Sequence, residues 1–323
     1  MKKVILIIML ATVLGSPSLA EDVRLGTNCV VSFATLESAR RVLTNRDDFV
    51  RALSPFDRSA RMKVDRDVAE AEFLEFVSRA AQPWTSQETN RLAGVLQSLR
   101  QRLSSWTLPL PPTLALIKTS GVEEGNASYT RSNAIVLAQG ELQSTSSGLE
   151  DLIAHELFHV ISRHDPELRK RLYQIVGFHP INEIAPPGNL RTRKITNPDG
   201  VRNGWMITVT NNGSVISTVP ILYSSTDRYD VQKRGEFFNY LVFKLLAVTN
   251  GPGGWQPLLV SGTPQLIDPG EASGYLEQVG RNTDYIIHPD EILAVNFVHL
   301  INGKTNVATP RILLEMREAL MRR

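Results

Sequence analysis

The sequence predicts an α+β fold, with a helical N-terminal region, a short mixed or antiparallel sheet over a central helix, and a helical C-terminal part. Three observations predict it. Residues 34–106 carry apolar side chains at i, i+3 and i+4 spacing, which is typical of helices. Residues 113–118 and 127–138 favour strands, and a helical run without proline follows them up to Pro166. Beyond Pro269 the pattern is helical again.

The first twenty residues differ in composition from the rest. Lys2 and Lys3 precede an apolar run at 4–14, and small residues lead up to Ala20. This order is typical of a secretory signal peptide that is cleaved after Ala20. The rival interpretation is an uncleaved membrane anchor, but the run is shorter than the roughly 20 residues that span a bilayer. We therefore expect residues 1–20 to be removed, and the mature protein to be periplasmic or secreted without stable insertion in a membrane.

Charge and cysteine content limit the function classes. Without Lys2 and Lys3 the chain carries 33 basic and 33 acidic residues, so no excess of positive charge predicts nucleic-acid binding. Cys29 is the single cysteine, which excludes an internal disulfide and favours a buried free thiol.

The proline-rich stretch at 108–112 is predicted to be a linker, because no helix can contain its three prolines. It separates an N-terminal helical region at 21–107 from a second domain at 113–323. Pro55 and Pro83 divide the first region into about three helices. We expect that region to pack against the second domain.

The central helix carries the sequence His155-Glu156-Leu157-Phe158-His159. Ser147 is predicted to cap its start. With 3.6 residues per turn, His155 and His159 lie on one face, where two imidazoles can bind one metal ion. Glu156 points about 100° round the helix and can hold a metal-bound water without ligating the metal.

Apolar residues surround these three side chains, so the helix is predicted to be buried. Unsatisfied buried polar groups cost about 1–3 kcal/mol each, and a zinc ion with a water would satisfy all three. The alternative is a chance match in which both histidines bond to carbonyl groups of the core.

After the central helix, Asp165 and Pro166 start a second helix that is predicted to end near Gly177. His164 is interpreted as a helix-end residue, because a third ligand of the longer histidine motif would fall at position 165. Residues 190–270 are predicted to be rich in strands, with a hairpin turn at 211–213, except for a buried helix at 237–248.

A catalytic zinc needs a third protein ligand, and two glutamates compete for that role. Glu291 opens an apolar helix that begins near His288, and Glu183 follows the second helix. Both geometries are feasible on spacing alone.

The order of these motifs resembles the gluzincin metallopeptidases, which carry H-E-x-x-H on one helix and a glutamate ligand on a later one. Residues 291–294 match the E-x-x-A part of the family's ligand helix. The resemblance implies a zincin-like domain at 113–323 that binds one zinc ion through His155, His159 and Glu291. Val295 departs from the pattern, since the family has an acid there that orients a zinc-bound histidine. Either Asn296 or a carbonyl group is expected to replace it, or the site is expected to bind zinc more weakly.

The function expected from these residues is zinc-dependent hydrolysis of peptide bonds, with Glu156 as the general base. Tyr223, Tyr285 and His288 are candidate donors to the developing oxyanion, and His288 is favoured because it lies one turn before Glu291. The expected partner is a peptide or protein substrate, and residues 126–129 are a candidate edge for pairing with it. The alternatives are a catalytically inactive, metal-stabilised binding or scaffold protein, and a zinc amidase acting on cell-wall peptides.

Overall fold

The computed structural model describes residues 22–26 and 28–321, and within them the chain is a mixed α+β structure, as the sequence predicts. The predicted signal peptide and its cleavage site lie outside the described residues. No helix of the described part is long and apolar enough to cross a membrane.

The helices are α1 (Leu36–Leu43), α2 (Asp48–Ala52), α3 (Pro55–Arg61), α4 (Glu70–Ala80), α5 (Ser86–Arg102), α6 (Ser146–His164), α7 (Pro166–Ile175), α8 (Tyr275–Val279), α9 (Pro289–Ile301) and α10 (Pro310–Met321). The strands are β1 (Val23–Leu25), β2 (Cys29–Phe33), β3 (Ala81–Gln82), β4 (Thr113–Thr119), β5 (Tyr129–Arg131), β6 (Ala134–Ala138), β7 (His179–Pro180), β8 (Trp205–Asn211), β9 (Ser214–Ser224), β10 (Leu241–Gly251), β11 (Gly254–Pro257), β12 (Leu259–Val260), β13 (Thr263–Pro264) and β14 (Leu266–Ile267).

The first sheet has the strand order β1-β2-β4-β6-β5, and β3 also pairs with β4. Strands β2, β4 and β6 are parallel, whereas β5 forms an antiparallel hairpin with β6 and lies at the edge. Because β2 precedes residues 108–112 and β4 follows them, the two sides of the predicted linker contribute paired strands to one sheet.

Helix α6 is the buried helix that the sequence predicts, with the apolar side chains Ile153, Leu157 and Phe158 fully buried. Its N-cap is Thr145 rather than the predicted Ser147, since the Thr145 hydroxyl accepts a hydrogen bond from Gly148 N at 3.1 Å. Thr145 has the extended backbone that an N-cap residue needs, and the helix therefore starts earlier than expected.

The second sheet has the order β11-β10-β9-β8-β7, with β14 also paired to β10. Its β8–β9 hairpin turns at Asn212 and Gly213, both with positive φ, which confirms the predicted turn. The buried helix predicted at 237–248 is wrong, because β10 occupies most of that range. A continuous apolar run has no period that separates a buried strand from a buried helix, and here pairing with β9 along its length decides it.

Candidate metal centre

Three side chains from two helices converge on one point. His155 and His159 come from successive turns of α6, and Glu291 comes from the first turn of α9, which packs against α6. Each offers a ligand atom, and these atoms all lie within 4.8 Å of one another. Glu291 and His159 are 2 % and 1 % exposed, so both polar groups need a partner inside the protein.

The distances fit a tetrahedral ion. Glu291 Oε2 lies 3.2 Å from His155 Nε2 and 3.6 Å from His159 Nε2. Ligand atoms held about 2.0–2.2 Å from a tetrahedral zinc lie about 3.4 Å apart. His159 Nε2 is buried and has no hydrogen-bond partner within the described chain. The residues present therefore fit a zinc ion, with an orphaned nitrogen at the position of a ligand.

Asp290 holds His159 from behind. Its Oδ2 atom lies 2.8 Å from His159 Nδ1, while Oδ1 accepts hydrogen bonds from Ser162 Oγ at 2.6 Å and Tyr173 OH at 2.8 Å. A carboxylate on the second nitrogen of a metal-ligating histidine fixes the ring and its tautomer. The orienting acid is therefore present, but it precedes Glu291 instead of following it at position 295.

The expected substitute at Asn296 has another role. Asn296 Nδ2 donates to Ile292 O, and its Oδ1 accepts from Asn282, so it is not bonded to either histidine. Val295 lines the cleft above the ligands. An apolar residue can stand at position 295 because Asp290 supplies the carboxylate that orients His159.

Carboxylates crowd this centre and favour a cation. Burial lowers the pKa of His159, but Asp199, Glu291 and Asp290 outweigh it and hold the pKa of His159 well above its usual value. Burial raises the pKa of the Asp199 carboxyl well above its usual range, and the charges of Glu156 and Glu291 add to this effect. A divalent cation would neutralise this repulsion.

Glu156 lies beside the ligands and is 3 % exposed. Its Oε2 atom accepts a hydrogen bond from Thr130 Oγ1 on the edge strand β5 at 2.7 Å. Carboxylate oxygens of Glu156 and Asp199 and a nitrogen of His159 lie within 4.8 Å of one another. The carboxylate is therefore fixed next to the ligand atoms.

A cleft of about 700 Å³ opens over this group. His155, Glu156 and Glu291 lie along it, and the start of β5 with Ser128 and Tyr129 forms one side. The opposite walls are mostly apolar, and their residues are Ile195, Leu222, Phe237, Phe238, Leu241, Ile287, Val295 and Val298. Such a cleft suits an apolar ligand that presents a polar group to its floor.

The segment 195–199 connects the candidate ligand Glu291 to the edge strand. Asn197 Nδ2 donates to Glu291 Oε1 at 2.6 Å, and Asp199 Oδ1 accepts from Thr130 N at 3.0 Å. The next residue, Gly200, passes so close to His288 that a Cβ there would lie 2.5 Å from the ring. Only glycine fits this crossing without displacement.

A buried ion cluster from the N-terminal region anchors this segment. Arg61 on α3 binds both oxygens of Glu124 and one oxygen of Asp57, at 2.6–2.9 Å. It also donates to Thr196 O at 2.9 Å, and the Thr196 hydroxyl donates to Asp57. Residues upstream of the predicted linker therefore help to place Asn197 on the third candidate ligand.

Of the other side chains that the sequence predicts as metal ligand or oxyanion donor, only Tyr285 lines the cleft over the candidate ligands. His288, the favoured oxyanion donor, is the N-cap of α9; its Nδ1 accepts from Asp290 N at 3.1 Å, and it lines a neighbouring cleft. Glu183 accepts from Asn203 N and is not among the grouped ligands. Tyr285 lines the metal cleft, whereas Tyr223 lies on β9 outside it.

Sequence reasoning missed three residues of this centre, namely Asp290, Asn197 and Asp199. Asp290 could have been found, because two adjacent acids begin a helix that is otherwise apolar. The helix dipole explains why acids stand at the start of a helix, but it does not explain why two of them are buried there. Asn197 and Asp199 carried none, since an Asn-Pro-Asp-Gly stretch is typical of an ordinary turn.

Comparisons with known proteins cover one part of this arrangement. A family model described as the eCIS core domain matches residues 121–167, and the family occurs in extracellular injection systems. The matched segment includes β5, β6 and α6, and therefore His155, Glu156 and His159, but not Asp290 or Glu291. No curated protein and no solved structure matches the chain.

Proposed function

We propose that this protein is a zinc-dependent hydrolase of peptide bonds that works in the periplasm or outside the cell. The observation that carries the proposal is the placement of His155 Nε2, His159 Nε2 and Glu291 Oε2 at zinc-ligand spacing, with Glu156 fixed beside them. Zinc bound there would polarise the scissile carbonyl and lower the pKa of an attacking water. The family match lies on the same helix and belongs to extracellular systems, which supports export of the chain.

Glu156 and Tyr285 have the two remaining catalytic roles in this proposal. Glu156 is the general base, because its carboxylate lies next to the ligand atoms and the Thr130 hydroxyl restricts its orientation. Tyr285 is the donor to the developing oxyanion, replacing His288. Desolvation in the cleft and the nearby charges of Glu291 and Asp199 raise the pKa of Tyr285 above its usual value, although 42 % of the residue is exposed. Its hydroxyl therefore keeps the proton that it donates.

The shape of the cleft supports an extended peptide as substrate. Ser128 and Tyr129 present the edge of the first sheet to the cleft, where a strand-like ligand can add to it. The apolar walls fit a bulky apolar side chain of that peptide. One edge position is already used, since Thr130 N donates to Asp199. Substrate pairing is therefore proposed at Ser128, within the predicted segment 126–129.

The zinc content of the purified protein tests the proposal. Elemental mass spectrometry should find one zinc per chain in the wild type and none in Glu291→Ala. Glu183→Ala is the matched control, because it removes a carboxylate that bonds to Asn203 and is not grouped with the histidines, and it should keep the metal. Loss of zinc in Glu183→Ala instead would overturn the ligand assignment.

One variant and a substrate screen of the wild type separate the enzyme from its alternatives. With zinc in place, Tyr285→Phe should lower kcat on fluorogenic peptides and leave the metal content unchanged. A wild-type protein that holds zinc but cleaves neither a peptide library nor cell-wall peptides would instead be a metal-stabilised binding protein. One observation favours the binding protein. Asn197 donates to Glu291 and Asp199 accepts from Thr130 N, so groups of the protein itself already occupy a ligand oxygen and an edge position of the cleft.

A further inference from the structure

A second cleft lies behind the metal centre and is rich in arginine. It has a volume of about 550 Å³ and lies between α2, the end of β5, α7 and the segment 198–202. The charged residues that line it are Arg46, Arg51, Arg131, Arg163, Arg169 and Arg202, with Asp47, Asp48 and Asp199. The cleft therefore carries an excess of three positive charges, in a protein whose overall charge is close to neutral.

Most of these arginines are already paired with carboxylates. The five pairs are Arg46 with Glu70, Arg51 and Arg202 with Asp48, Arg131 with Asp47, and Arg163 with Asp199. They form the walls of the cleft and hold its shape. Their charges are largely neutralised, so none of them alone indicates a ligand.

Arg169 differs from the other five. Within the described residues its side chain has no hydrogen bond and no ion pair, although its Nε atom is buried. Its guanidinium carbon lies 6.0 Å from the centre of the Trp205 ring, which also lines the cleft. A buried guanidinium nitrogen without an acceptor costs free energy that an incoming acceptor would recover.

We propose that this cleft is a binding site for an oxyanion, a phosphate or a carboxylate group, held by Arg169. The planar guanidinium matches both groups, and its donors are uncommitted. Trp205 and Tyr173 form an aromatic wall beside it, with their ring centres 4.5 Å apart. Tyr173 also contacts Asp290, so the bound anion lies directly behind the residue that orients His159. This site stands independently of the proposed hydrolysis.

Calorimetric titration with inorganic phosphate, acetate and chloride at matched ionic strength tests this site. The wild type should bind phosphate or acetate at one site per chain, and more tightly than chloride. Arg169→Gln should weaken that binding by about tenfold or more, because it removes a charge-assisted hydrogen bond. Arg171→Gln is the matched control on the same helix, since Arg171 is exposed and does not line the cleft. It should bind as the wild type does.

Each contrary result overturns the proposal. Equal binding of chloride, or equal losses in Arg169→Gln and Arg171→Gln, would mean a diffuse positive surface. Unchanged phosphate binding in Arg169→Gln would place the anion elsewhere, including at the metal centre. Arg169→Met keeps the aliphatic stem beside Trp205 and replaces the first variant if that protein does not fold.

Discussion

Removing the Asp290 carboxylate should weaken zinc binding without removing a ligand. In Asp290→Ala the 2.8 Å contact to His159 Nδ1 is lost, so the ring is free to rotate and to change tautomer. Loss of a carboxylate that orients a ligating histidine lowers metal affinity by about 10- to 100-fold. The upper half of that range is expected here, because Asp290 is 2 % exposed and no water can easily replace it.

Competition with a chromophoric chelator measures this effect, and a thermal melt in the absence of zinc reports the fold. Tyr173→Phe is the matched control, since it removes one of the two hydroxyl donors to Asp290 and leaves the contact with His159. Its zinc affinity should stay within about threefold of the wild type, because the Asp290 carboxylate still contacts His159 Nδ1. A folded Asp290→Ala protein with wild-type zinc affinity would refute the reasoning.

Three further predictions concern other parts of the chain. Glu156→Gln should keep its zinc, and its kcat should fall by about 10²- to 10⁴-fold on any substrate that the wild type cleaves. Peptide cleavage at the wild-type rate would show that Glu156 is not the general base. Arg61→Met leaves the buried carboxylate of Glu124 unpaired and should lower the free energy of unfolding by about 3–5 kcal/mol in urea titrations, and a loss below about 1 kcal/mol would contradict this. Burial raises the pKa of Cys29 to about 11, so at pH 8 the native thiol should resist iodoacetamide and react only after unfolding; rapid labelling of the native protein would show an accessible thiolate.

The local part of the metal centre could be predicted from the sequence. His155 and His159 are one turn apart on a helix without breakers, and that spacing alone places their nitrogens together. Glu291 could be preferred to Glu183 only through the resemblance to gluzincins, because no spacing rule connects residues that lie 132 or more positions apart. The structure brings it to 3.2 Å from His155 through the packing of α9 on α6.

The failures have physical causes as well. β10 was predicted as a helix because an apolar run that is buried on both faces loses the period of either structure. The sequence favours His288 as the oxyanion donor because it precedes Glu291 by one turn, but a residue at an N-cap turns its side chain back to the first backbone N–H groups. Asn197 reaches Glu291 only because Arg61 and Asp57 hold the preceding residue, and such nonlocal contacts leave no pattern in the sequence.

The parallel pairing of β2 with β4 has a consequence for how the polypeptide can be divided. The two strands are joined in register from Val30 and Thr113 to Phe33 and Leu116, and α5 packs on α6 beside them. A protein cut within residues 108–112 would therefore behave as a non-covalent heterodimer whose halves share a sheet. Neither half alone would have a complete sheet, and a C-terminal fragment would leave the backbone groups of β4 open to pairing with other chains.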